Sequence, residues 1–92
     1  MEEKAKEVAE ILKLLSNENR LLMFCALMEG PMSVSDIAKK IPNITSSAIS
    51  QHLSLLKAHK ILDSSKNGQT VTYFIADERV NEIINTVKKF YC

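Results

Sequence analysis

Two side chains in this sequence can undergo covalent chemistry under mild conditions: the thiols of Cys25 and Cys92, 67 positions apart. The thiolate is the reactive form, so the charges around each sulfur matter most. Lys88 and Lys89 stand four and three residues before Cys92 and favour its thiolate. A helix C-terminus and a chain-end carboxylate oppose it. Cys25 follows Arg20 by five positions but lies in an apolar run, where ionisation is costly. Which thiol reacts first stays open. Cys25 would share a helical face with Leu21, Phe24 and Met28, so packing alone could explain it. Cys92 lies about 80° around a helix from Ile84, at the edge of the apolar stripe, and packing explains it less well. Two distant cysteines do not make a disulfide scaffold, and a reducing cytoplasm leaves room only for a transient pair.

A second group of residues is suited to non-covalent recognition. Ser46, Ser47, Ser50, Gln51 and Ser54 fall on one face of a helical segment. Serine is a poorer helix former than the Lys and Glu that usually cover a solvated face, so local stability does not account for it. Small polar groups let a helix enter a DNA major groove closely. Gln can pair with adenine, and Ser can bond to bases or phosphates. Thr45 or Ser46 would cap this helix, whose N-terminal N–H groups suit a phosphate. His52 is placed at the edge of the core with occasional phosphate contact. His59 lies near the helix end, where an imidazolium suits the dipole. With only two histidines, a His-based metal site is not expected. Nor is an enzyme: there is no Gly-rich phosphate loop, no carboxylate pair with a pocket and no Ser–His–Asp set.

The elements that must hold these groups follow from periodicity. Ninety-two residues make one domain, residues 1–92. Val8, Ile11, Leu12 and Leu15 mark an amphipathic first helix. A second helix, apolar on nearly all sides, should be the most buried, and Gly30 and Pro31 end it. Ser33 and Asp36 have the spacing of a capping box and open a short third helix. Pro42 and Asn43 break it. The fourth helix runs to about His59, with Ile49, Leu53, Leu56 and Ile61 inward. Asn67-Gly68 between strand-like runs predicts a hairpin closed by a type I′ turn, with positive φ at both residues. Asp77 would cap a last helix with Val80, Ile83, Ile84, Val87 and Tyr91 on one face. Helix, break, helix and hairpin make a winged helix-turn-helix in a mainly α chain. The wing offers Lys66, Asn67 and Gln69, with Lys66 as its single cation. The outer helices have apolar stripes that a second copy of the chain would cover, giving a homodimer through the first and last helices.

Charge fits this placement. Between residues 36 and 66, five lysines face two aspartates for a net +3, while the rest of the chain carries −2. No apolar stretch is long enough for a membrane span, and the charged N-terminus lacks the pattern of a secretory signal, so a cytoplasmic protein is expected.

Taken together, the segment from Leu12 to Ile41, the run from Thr45 to Leu62 and the strand from Gly68 to Ile75 resemble the ArsR/SmtB family of bacterial winged-helix regulators. The resemblance implies a homodimer that binds operator DNA, usually as a repressor, and releases it when an inducer binds. Many such proteins sense metals. Ser33 and Ser35 stand where one metal site has cysteines, and the last helix lacks the histidines of the other. Hydroxyls are poor ligands for soft metals, so no metal or other cofactor is expected. Cys25 after Phe24, and Cys92 after Phe90-Tyr91, resemble instead the dithiol subgroup of the BigR, SqrR and HlyU kind. That resemblance implies a redox switch at Cys25 and Cys92, with a small sulfur species or oxidant as inducer. Bridging them would close a loop worth roughly 4 kcal/mol in the chain-entropy model. Lys60 stands where the family usually has a helix-ending glycine, and the break from Ile41 to Thr45 is one residue longer than usual. Two other readings stay open: a regulator of this family without a thiol switch, and a winged-helix module that binds protein.

Overall fold

The apolar stripe that begins the chain forms α1, Glu2–Leu15. The computed structural model describes residues 2–91. After the turn at Ser16 and Asn17, α2 runs over Glu18–Leu27, with the Asn17 side chain accepting from Arg20 N–H. This helix is apolar nearly all round, and Met23 and Phe24 on it are fully buried. Gly30, at φ +147°, carries the chain away in a conformation that suits glycine.

The next two elements overlap. Met32–Ser33 form a short strand, β1, and Ser33 also caps α3, Val34–Lys40. The capping box is reciprocal: Ser33 Oγ accepts from Asp36 N–H at 3.1 Å, and Asp36 Oδ2 accepts from Ser33 N–H at 3.1 Å. The break after α3 holds Asn43 at φ +68°, a conformation Asn tolerates better than most residues. Thr45, not Ser46, then caps α4, Ser46–Ala58, its Oγ1 accepting from Ala48 N–H at 3.0 Å. Ile49, Leu53 and Leu56 on this helix are fully buried, as their spacing predicts. Lys60 takes the left-handed conformation, φ +62°, directly after α4.

β2, Leu62–Asn67, and β3, Thr70–Ile75, form the wing, with Leu62 opposite Ile75 and Asn67 opposite Thr70. Two features differ from the sequence reading. The sheet has three strands, ordered β1-β3-β2, because β1 pairs with the far edge of β3: Met32 opposes Tyr73 and Ser33 opposes Thr72. Two residues are too few to show a strand period. The hairpin turn is also shifted by one residue. Asn67 ends β2, and Gly68-Gln69 form the turn, with positive φ at Gly68 but at neither Asn67 nor Gln69. Glycine first in a two-residue turn fits the II′ pattern rather than I′.

The chain closes with α5, Glu78–Tyr91. Asp77 caps it by accepting from Arg79 N–H at 3.0 Å. Val80 and Ile84 face the core, while Ile83, Val87, Phe90 and Tyr91 are exposed, Phe90 at 79% and Tyr91 at 85%. α1 shows the same division: Leu15 is buried, while Val8 and Leu12 are about half exposed. Among the described residues, no helix is long and apolar enough to cross a membrane.

Candidate nucleic-acid interface and thiol cleft

With the inward face of α4 buried, Ser46, Ser47, Gln51 and Ser54 are exposed on its outer side, with Ser50 half-buried beside them. The start of α4 differs from every other helix. α1, α2, α3 and α5 each carry an acidic residue in the first turn, but α4 carries none. Its partial positive end is therefore not neutralised by its own side chains, and Thr45 satisfies only one of its free N–H groups. Such an end, with hydroxyls around it, suits a phosphate. Lys66, Asn67 and Gln69 are exposed at the tip of the wing. At the other end of α4, Lys57 donates to Ser64 Oγ at 2.7 Å and ties the helix to β2.

His52 has a more specific setting. It is half-buried, and its Nδ1 lies 3.4 Å from Nη1 of Arg20. Burial, and then the Arg20 charge, lower its pKa from the ordinary value of 6.5. The neutral ring is favoured there. The contact spans 32 positions, and no local pattern in the sequence announces it. Arg20 itself faces Leu14 and His52: its Nε–H donates to the Leu14 carbonyl at 2.7 Å.

Cys25 is half-buried on α2, between fully buried Phe24 and buried Ala26. It lines an open cleft together with Leu22, Glu29, Lys40, Ile41 and Lys88. Lys40 and Glu29 pair across 3.4 Å at its rim. Lys40 was not connected to the thiol from sequence, because α3 had to fold against α2 first. Cys92 lies outside the described residues. Lys88, which reaches the cleft from α5, precedes it by four positions. Four residues span at most about 14 Å of chain.

A third feature joins α1 to α5. Arg79 contacts Asp77 Oδ2 at 2.9 Å and Glu7 Oε1 at 3.5 Å. The hydrogen bond from Arg79, with help from the cap, holds the Asp77 carboxyl below its ordinary pKa. Beside this clasp lies an apolar groove of about 160 Å³, lined by Val8, Ile11, Leu12, Leu15, Val80 and Ile83. Among the described residues, no group of three or more His, Cys, Asp or Glu side chains could hold a metal ion.

The family model for bacterial regulatory proteins of the arsR family matches residues 17–64. Across 88 residues the chain is 36% identical to the HTH-type transcriptional regulator YgaV of Escherichia coli, covering 96% of this chain and 89% of that protein. Reduced HlyU from Vibrio cholerae superposes with a TM-score of 0.92 at 30% identity, covering 100% of this chain and 96% of the other. The transcriptional repressor BigR from Xylella fastidiosa gives 0.90 at 32% identity, covering 100% and 93%.

Proposed function

The chain belongs to the arsR family of bacterial transcriptional regulators, and from that premise we propose that it is a homodimeric repressor whose hold on operator DNA is switched at Cys25 and Cys92. In this reading α4 enters the major groove. Thr45, Ser46, Ser47, Ser50 and Gln51 meet DNA there, with His52 behind them. Lys66, Asn67 and Gln69 contact the backbone from the wing. The dimer forms through the exposed apolar faces of α1 and α5. BigR, a structural neighbour, is a repressor.

One observation carries the switch. The Cys25 cleft is lined by Lys88, and Cys92 follows Lys88 within about 14 Å of chain. A hydroperoxide would take two electrons from the pair. It would leave a Cys25–Cys92 disulfide and release an alcohol and water. A persulfide donor would pass its outer sulfur to one thiolate and leave as a thiol. The second thiol would then attack the inner sulfur of the protein persulfide, close the disulfide and expel hydrogen sulfide. By either route the disulfide ties the residue that follows α5 to α2. Two recognition helices must meet major grooves about 34 Å apart, and a change in that spacing releases DNA.

Mass spectrometry after treatment with an organic persulfide or hydroperoxide, paired with DNA affinity of the product, tests this. An intramolecular Cys25–Cys92 crosslink with weakened binding is expected. No crosslink, or a crosslinked protein that binds as before, would refute the switch. A second reading, a regulator without a thiol switch, draws on the packing of Cys25 beside Phe24 in the core cluster. It predicts normal regulation after both cysteines are replaced by serine.

A further inference from the structure

Arg20 holds three partners in three places. Its backbone N–H donates to the Asn17 side chain, so the cap of α2 fixes where the side chain begins. Its Nε–H donates at 2.7 Å to the carbonyl of Leu14. That carbonyl is in the last turn of α1, where carbonyls lack partners within the helix. Its Nη1 lies 3.4 Å from Nδ1 of His52, in the middle of α4. An imidazole accepts at Nδ1 only when that nitrogen carries no proton, so the contact selects the neutral ring with its hydrogen on Nε2.

The remaining inward contacts of α4 are aliphatic: Ile49, Leu53 and Leu56 are fully buried. Aliphatic packing fixes how far a helix stands from the core but has little directional preference about its axis. At its C-terminal end Lys57 ties α4 to β2 through Ser64 Oγ, but the part of the helix before it, held only by such packing, can roll by a few degrees at small cost. His52 adds a directional contact at the border of that face, one residue from exposed Gln51. The groups nearest to it are therefore those whose aim matters most for base contacts.

We infer that Arg20 is a positioning residue for DNA recognition: it fastens the recognition helix, through His52, to the C-terminal end of the helix that carries part of the dimer face. This rests on the reading of α4 as the recognition helix. The planar guanidinium offers separate donors to the Leu14 carbonyl and to His52. A lysine ammonium, a point charge on a flexible stem, does not reproduce that fork.

The test is a double-mutant cycle on the full chain, read as affinity for a DNA duplex enriched by the wild-type protein from a random-sequence pool. Salt is held fixed and the pH neutral. Arg20→Met and His52→Leu should each weaken binding by about tenfold, and the double variant should be no weaker than either single one. His52→Asn, which keeps an acceptor, should recover most of the loss seen with leucine. Thermal unfolding shows which variants are folded. If Arg20→Met does not fold, Arg20→Lys replaces it with the same expectation. Independent, additive losses would overturn the inference, because they would mean that His52 acts on DNA without Arg20. So would asparagine and leucine behaving alike at position 52. Failure of the wild-type protein to enrich any duplex would refute the recognition-helix reading itself, and Arg20 would then have no helix to aim.

Discussion

At the scale of single residues, the Arg20–His52 contact makes a prediction about acid. The folded state lowers the pKa of His52 from 6.5, so the unfolded chain binds the proton more readily. Stability from this group is therefore complete above about pH 6.5 and falls as pH drops toward the folded-state pKa. Thermal unfolding between pH 7 and pH 5 should show a decline that His52→Gln removes in part; parallel profiles for the two proteins would contradict it. Lys66 makes another prediction. As the one cation on the wing, it should account for about one unit of the salt slope per subunit. Lys66→Gln should flatten log affinity against log salt by that amount, as measured by fluorescence anisotropy. Side chains with a local meaning were legible in the sequence. The serine row of α4 departs from what a solvated helix prefers, and Cys25 read as a thiol packed on the face of Phe24. The Arg20–His52 contact was not legible, because it joins residues 32 positions apart and depends on how α1, α2 and α4 meet.

At the scale of elements, caps and periods were the reliable signals. Ser33 with Asp36, Thr45 and Asp77 all do the capping their spacing suggests. The hairpin was legible, but its turn was not. Asn-Gly can supply the last strand residue and the first turn residue as well as both turn residues, and the pairing of Asn67 with Thr70 decides for the former. β1 was hidden because its two residues gain strand geometry only by meeting the free edge of β3. Lys60 offers the clearest test at this scale. Its left-handed backbone, φ +62°, is disfavoured for a residue with a Cβ by about 1 kcal/mol. Lys60→Gly should recover up to about that amount, less the entropy glycine adds to the unfolded chain. Urea denaturation should show a higher midpoint with an unchanged slope. A lower midpoint would mean that the lysine side chain contributes more than its backbone costs.

At the scale of the whole molecule, the apolar stripes of α1 and α5 are satisfied only in part within one chain. Their inner halves reach the core, and Val8, Leu12, Ile83 and Val87 remain exposed at 42 to 51%. The sequence showed the stripes but not the division, since a period marks a face without telling which neighbour covers it. Leu12→Glu should shift the protein to monomers in analytical ultracentrifugation and weaken DNA binding together. A monomeric variant that keeps full affinity would separate the two. If these faces meet in a dimer, the fold also counts its own copies. Burial between copies follows mass action, so the share of paired, fully covered chains rises with their number. A freshly made or diluted pool would hold more single chains with apolar surface in water, the form more open to proteolysis and aggregation. Abundance would then set how much of the protein exists as paired, covered chains.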